Sequence, residues 1–180
     1  MNLPTGSFAG KYPLHTLMGS ISCPSTNLCV VLGSWGYIYV SSDPTGGGST
    51  VFAERIDSNE TIVNGTWSDD LTGIFCASPD LCAVAENSGN VIVSTNPTGG
   101  AGAWTITPIS NGVLETIVCP TNSECIAIGT QAAYVSTNPT GGPSAWSGEP
   151  IADPNQNHSS IACVSQNQCI AVGGDLLVSQ

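Results

Sequence analysis

Short alternating apolar runs separated by turn-forming residues recur along the whole chain, and no stretch keeps a helical period. The clearest copy lies between Leu114 and Trp146. There Ile126-Ala127-Ile128 and Tyr134-Val135-Ser136 flank a short polar gap, and Asn138-Pro139-Thr140-Gly141-Gly142 and Trp146 follow. The same order appears earlier as Ile74-Phe75-Cys76, Cys82-Ala83-Val84, Val91-Ile92-Val93-Ser94, Asn96-Pro97-Thr98-Gly99 and Trp104. Nearer the start it reads Ser20-Ile21-Ser22-Cys23, Cys29-Val30-Val31-Leu32, Tyr37-Ile38-Tyr39-Val40-Ser41, Asp43-Pro44-Thr45-Gly46-Gly47 and Val51-Phe52-Ala53. A last copy runs through Ile161-Ala162-Cys163, Cys169-Ile170-Ala171-Val172 and Leu176-Leu177-Val178-Ser179, without a turn or fourth strand after it.

Four strands per copy, with cysteine pairs recurring at intervals of 53, 43 and 44 residues, match the period of a propeller blade and exceed that of a β-helix coil. The expected fold is all-β: a single β-propeller unit over residues 1–180, with four four-stranded blades at about 15–57, 71–110, 114–152 and 159–180 plus 2–14. The missing outer strand of the last blade is expected from the N-terminus. There Asn2-Leu3-Pro4-Thr5-Gly6, Phe8 and Pro13-Leu14 follow the order of Asn96 to Ile109. The extra residues Ser58 to Asp70 account for the longer first interval and are expected to form a loop.

Composition agrees with this. Among 180 residues, 21 are glycine and 12 are proline, and 41% are hydrophobic, enough for a core and suited to many tight turns. Charged residues are only 8%, and two lysines plus arginines against thirteen acids give a net charge of −11. That balance excludes the several cationic contacts a phosphate backbone needs and argues against an anionic membrane surface. No apolar run reaches the ~20 residues of a membrane span, and no charged-then-apolar leader opens the chain.

The eight cysteines fall as Cys23/Cys29, Cys76/Cys82, Cys119/Cys125 and Cys163/Cys169, all with five residues between them. Those five are turn formers, so each pair is expected to bridge a hairpin at its turn. Zinc is the rival, but its cysteine spacings are usually two to four, with further ligands to complete the site. Four disulfides place the chain in an oxidising, extracellular or cell-surface setting.

Val-Ser-[Ser/Thr]-[Asn/Asp]-Pro-Thr-Gly-Gly followed by tryptophan resembles a relaxed Asp-box, the turn of sialidase-like (BNR), photosystem II assembly-factor-like and sortilin-like propellers. Asn96 and Asn138 depart from the usual aspartate. The resemblance implies a structural role for Asp43, Asn96 and Asn138, bonding the turn's own backbone, and for Trp104 and Trp146, packing beneath it. Sialidases of this kind use three arginines for the substrate carboxylate, and this chain has only Arg55.

Propeller connectivity puts the second-to-third hairpins and the fourth-to-first connections on one face, and the disulfide turns and Asp-boxes on the opposite one. Trp35, Trp67, Asp69, Asp70, Glu86, Asp153, His158 and Asp175 are the candidate binding residues on the first face, beside Asn64, Asn111, Glu115, Gln131 and Asn157. Trp35 and Trp67 suit stacking on a sugar or a partner's apolar side chain. Glu86 and Asp175 offer an acid/base pair for glycoside hydrolysis, against the plainer reading of solvated loop acids. Asp69 and Asp70 could take part in holding Ca²⁺, although no twelve-residue calcium loop is present. His15 and His158 lack a metal or triad constellation and read as loop residues. No cofactor motif stands out, and three Asn-x-Ser/Thr sites begin at Asn59, Asn64 and Asn157.

The leading expectation is a non-enzymatic extracellular binding or scaffold module that presents these loops to a protein or glycan; a lectin or glycoside hydrolase-like enzyme is the alternative. The split last blade adds an expectation of homo-oligomers, two chains per eight-bladed ring, with a closed four-bladed monomer as the other solution. For the cysteines, the intact mass of the native protein is expected to fall eight hydrogens below the all-thiol value. Unreduced digestion should link only cysteines of the same pair; eight alkylatable thiols would refute the pairing.

Overall fold

The fold is taken from a computed structural model, which describes residues 19–46, 50–58, 62–63, 66–67, 71–151, 157–165, 168–173 and 176–178. Strands run β1 (Ile21–Ser25), β2 (Leu28–Leu32), β3 (Tyr37–Ser41), β4 (Val51–Arg55), β5 (Ile62–Val63), β6 (Thr66–Trp67), β7 (Leu71–Ser78), β8 (Leu81–Glu86) and β9 (Asn90–Ser94). They continue as β10 (Trp104–Pro108), β11 (Leu114–Thr121), β12 (Glu124–Gly129), β13 (Ala132–Ser136), β14 (Ser147–Pro150), β15 (His158–Ser165), β16 (Gln168–Gly173) and β17 (Leu176–Val178).

β1–β4, β7–β10 and β11–β14 each form a four-stranded antiparallel meander, and β15–β17 form a three-stranded one. These are the expected propeller blades. The fourth strand assigned by sequence to Asn2–Leu14 lies outside the described residues. The stretch read as a loop after Ser58 instead contains the two-stranded hairpin β5–β6. Its sequence carried the signal, since Asn64-Gly65 between the strand formers Ile62-Val63 and Thr66-Trp67 is a strong two-residue hairpin cue.

Each disulfide joins the first two strands of its own blade, with Cα separations of 3.9–4.1 Å. Cys76 lies directly opposite Cys82, and Cys163 opposite Cys169. The pairing across each hairpin is the expected one, and Cys82, Cys119 and Cys125 pack in the cores between blades as well. Cys125 is fully buried in β12, opposite Ser136 of β13, and Cys119–Cys125 belongs to the core between blades 2 and 3. Fully buried Cys82 belongs in the same way to the core between blades 1 and 2. The reason is that β8 and β12 are inner strands covered on both faces, where a half-cystine packs as a small apolar side chain.

The core is not inside the blades but between them. β7 packs on β1 and β2, β11 on β7 and β8, and β15 on β11 and β12. The first seam joins Val30, Leu32, Ile38 and Val40 to Ile74, Val84, Ile92 and Trp104. The second joins Ala83, Ala85, Val91 and Val93 to Leu114, Ile117, Cys125, Ala127 and Trp146, and the third joins Val118, Ile126 and Ile128 to Cys169 and Ala171. Alternation explains the pattern: along β8, Cys82 and Val84 face the preceding blade while Leu81, Ala83 and Ala85 face the following one. Along β12, Cys125 and Ala127 likewise face back while Ile126 and Ile128 face forward. A strand buried on both sides reads as a continuous apolar run.

Polar groups cross the same seams. Cys76 N donates to Ser22 Oγ at 2.9 Å, Thr72 Oγ1 to Leu114 O at 3.0 Å and Tyr134 Oη to Ser110 Oγ at 2.9 Å. At the third seam His158, fully buried, donates its backbone N–H to Glu115 Oε2 at 2.5 Å. The expectation of an exposed loop histidine is therefore corrected. His158 opens β15 and is covered because that strand lies against β11.

Glu86 is corrected in the same way. It ends β8 fully buried, and Oε2 accepts from Ser88 Oγ and Asn90 Nδ2, each at 2.7 Å. Its neighbour across the first seam is the equally buried Asp57. Two carboxyl groups can bond only by sharing a proton. Burial first, then Asp57, push Glu86 up to about 7, against the opposite pull of Ser88 and Asn90. In blades 3 and 4 the equivalent residue is glycine, because the incoming chain crosses it: a Cβ on Gly129 would lie 2.5 Å from Val113 O, and one on Gly173 would collide with Asn157 O.

The proton that Glu86 holds in the folded chain makes stability pH-dependent. The folded chain holds it up to pH about 7, whereas an unfolded glutamate releases it near 4.5. Stability should therefore fall as pH rises through that window and level off above it. Glu86→Gln, whose amide donates to Asp57 at any pH, should flatten this part of the profile and be the more stable form at pH 8. Urea midpoints measured from pH 4.5 to 8.5 test this; an unchanged slope in the variant would contradict the pairing.

Candidate functional site

Antiparallel meanders fix two faces. The β2–β3, β8–β9 and β12–β13 turns share the upper face with the connections that leave each blade's fourth strand. The disulfide-closed turns and the Pro-Thr-Gly turns share the lower one. Each fourth strand ends by bonding back to the upper turn of its own blade: Ile56 N to Gly36 O, Ile109 N to Gly89 O and Ile151 N to Gln131 O, at 2.9, 3.1 and 3.0 Å.

Of the residues expected on the upper face, Trp35 is there. Glu86 and His158 are inside the seams, and no substrate can reach the Glu86 carboxyl. Trp67 lies in β6, and Asp69, Asp70, Asp153 and Asp175 fall outside the described residues, as does Asn64. Asn111, Gln131 and Asn157 are exposed and Glu115 is half-buried, spread over different blades rather than brought together.

Trp35 occupies a strained turn. The β2–β3 turn runs through Ser34, Trp35 and Gly36, with Gly33 N donating to Tyr37 O at 2.8 Å and Tyr37 N to Ser34 O at 3.4 Å, and in it Trp35 has φ 64° and Gly36 φ 70°. Left-handed positions in a hairpin turn normally take Asn or Gly, and a bulky aromatic there costs about 1 kcal/mol or more. Arg55 holds the turn from the neighbouring strand. Its Nε donates to Trp35 O at 3.2 Å, and its guanidinium carbon lies 5.9 Å from the Tyr37 ring centroid. Tyr37 and Arg55 are direct cross-strand partners. A half-buried tryptophan, a tyrosine and the chain's single arginine thus form one rigid corner. The sequence hint was available, since hairpin register places Tyr37 opposite the residue that ends β4.

The lower face is built by polar turns. Asp43 Oδ1 accepts from Thr45 N at 3.2 Å and from Thr45 Oγ1 at 2.7 Å. Asn96 Oδ1 and Asn138 Oδ1 accept from Thr98 Oγ1 at 3.3 Å and Thr140 Oγ1 at 3.2 Å. The asparagine side chains fold so closely over their turns that a Cβ on Gly99 or Gly141 would collide with the amide nitrogen. Trp104 and Trp146 begin the chain beyond these turns and lie buried in the first and second seams.

Between the turns of blades 2 and 3 sits a cleft of about 210 Å³ lined by Ser78, Asp80, Thr95, Asn122, Thr137 and Asn138 among others. It is smaller than the ~300–1,000 Å³ of small-molecule sites. Among the described residues no three His, Cys, Asp or Glu side chains form a metal-binding group, and no helix is long and apolar enough to cross a membrane. Glu54, half-buried in β4, is raised above the ordinary glutamate value by desolvation.

No family model matches this chain, and no curated protein matches it. Solved structures do. One titled "YCF48 bound to D1 peptide" superposes with a TM-score of 0.64 at 13% identity, over 93% of this chain and 53% of that one. The WD40 β-propeller domain of Doa1 gives 0.64 at 12% identity over 89% and 49%, and YCF48 from Cyanidioschyzon merolae gives 0.60 at 17% identity over 94% and 58%. The chain therefore has a β-propeller fold and spans about half the length of these propeller chains.

Proposed function

We propose that the chain is a non-enzymatic protein-binding module whose upper face takes an extended peptide segment around Trp35, Tyr37 and Arg55. The observation that carries this reading is the strained Trp35 turn. An aromatic side chain kept where asparagine or glycine would be more stable is the kind of local strain that clusters at binding sites, and Trp, Tyr and Arg are the side chains enriched in binding hot spots. The structural neighbour whose title names a bound peptide supports the same class of partner. A net charge of −11 favours partners with net positive charge through long-range attraction. Four disulfides support an extracellular or cell-surface setting. Kinship with Asp-box propellers belongs to this proposal, supported by the turn bonding of Asp43, Asn96 and Asn138.

A second reading, a carbohydrate-binding lectin, is favoured by one observation: the lower cleft is lined by hydroxyl and amide groups suited to sugar hydroxyls.

Selection from a random linear-peptide library, run beside a glycan array, separates the two. Retained peptides should lose at least ~10-fold in affinity on Trp35→Gly, while that variant gains about 1 kcal/mol in stability as the turn relaxes. Retention on the glycan array alone would overturn the peptide reading, and unchanged peptide affinity in Trp35→Gly would remove this corner from the site.

A further inference from the structure

The repeat lets one position be compared across blades, and the comparison isolates the two ends of the chain. Counted from the disulfides, Ile21, Ile74 and Ile117 are equivalent, each two residues before the first cysteine of its blade. Ile74 and Ile117 are 5% and 3% exposed beneath the blade that precedes them, whereas Ile21, in the first blade, is 62% exposed. At the far end, Ile170 and Val172 of β16 correspond to Ala83 and Ala85 of β8 and to Ile126 and Ile128 of β12, all buried under the following blade. Ile170 and Val172 are 48% and 44% exposed, and Val164 in β15 is 86% exposed.

These two surfaces are complementary halves of one contact. Three times within the chain, the first strand of one blade lies on the first two strands of the blade before it. At the ends, and among the described residues, β1 is such a first strand without a blade beneath it, and β15 with β16 is such a platform without a blade upon it. Within one chain these two surfaces do not meet as the internal blades do. Apart from the buried His158, the strands involved (β1, β2, β15 and β16) carry no ionisable side chain other than the disulfide-bonded cysteines. A strongly acidic chain has thus left its ends free of like-charge repulsion.

We propose that a second copy of this chain occupies both ends, β1 of each copy lying on β15 and β16 of the other. The four blades match 53%, 49% and 58% of three solved propeller chains, so two copies supply a full ring. Two equal seams related by a two-fold axis leave no end uncovered, which a single copy or an open stack does not achieve. The assembly is independent of what the upper face binds.

Sedimentation velocity and light scattering of the oxidised 180-residue chain at tens of micromolar should give twice the 18.3 kDa chain mass. The pair Ile170→Glu with Val172→Glu, and separately Ile21→Glu, should weaken the dimer at least ~100-fold while circular dichroism and the disulfides stay unchanged. Phe52→Glu, at an exposed apolar residue of β4 away from the end seams, should leave the dimer intact. Mixing the two end variants, each with one sound surface, should restore a weaker dimer, which misfolded chains cannot do. A wild-type monomer at all concentrations, an open-ended series of larger species, or a dimer indifferent to both end variants would overturn the proposal.

Discussion

The seam between blades is the contact on which the rest of this structure depends. A four-stranded antiparallel sheet has two faces and no interior of its own, so a single blade cannot keep its apolar side chains from water. Stacking solves this by making every blade both cover and platform. The inner strands consequently carry apolar residues on both faces. The outer strands are half wet and more varied: β10 exposes Thr105 and Pro108, and β14 reads Ser-Gly-Glu-Pro. Removing apolar area from water stabilises each seam, and polar bonds such as Cys76 N to Ser22 Oγ and Thr72 Oγ1 to Leu114 O run from blade to blade.

This division explains what could be read from the amino-acid sequence and what could not. The blades were legible because they rest on local rules: period-two alternation, turn residues, and cysteines five residues apart. The β5–β6 hairpin is equally local, its cue being the Asn-Gly pair in the sequence between Val63 and Thr66. The fate of Glu86 and His158 was not legible, because burial depends on which blade lands on them. Cys125 divides the same way: its partner follows from spacing, but its place in the core follows only from the arrival of blade 2. A glutamate after a strand looks like a loop acid until Asp57, from a different blade, arrives opposite it. Asp57 itself carried no motif, and only the recurring bond from each fourth-strand end to its upper turn places it at the seam.

The two faces answer to different demands. On the lower face, side chains turn inward on their own loops, and the glycines are held by close approach of Asn96 and Asn138. On the upper face, the loops are less alike from blade to blade. That is where backbone strain is tolerated, at Trp35, with Arg55 bracing the carbonyl. A repeat protein can concentrate specificity on such a face because most of each seam rests on the strands below it.

The disulfides connect no two blades. Eight cysteines allow on the order of a hundred pairings, yet each partner here is only six positions away. A short loop closes far faster than a distant contact forms. Correct oxidation can therefore run ahead of tertiary folding, pair by pair as the chain emerges. It also means that a whole blade can be duplicated or deleted without orphaning a single thiol, so the number of repeats is free to change while the covalent chemistry of the chain stays correct.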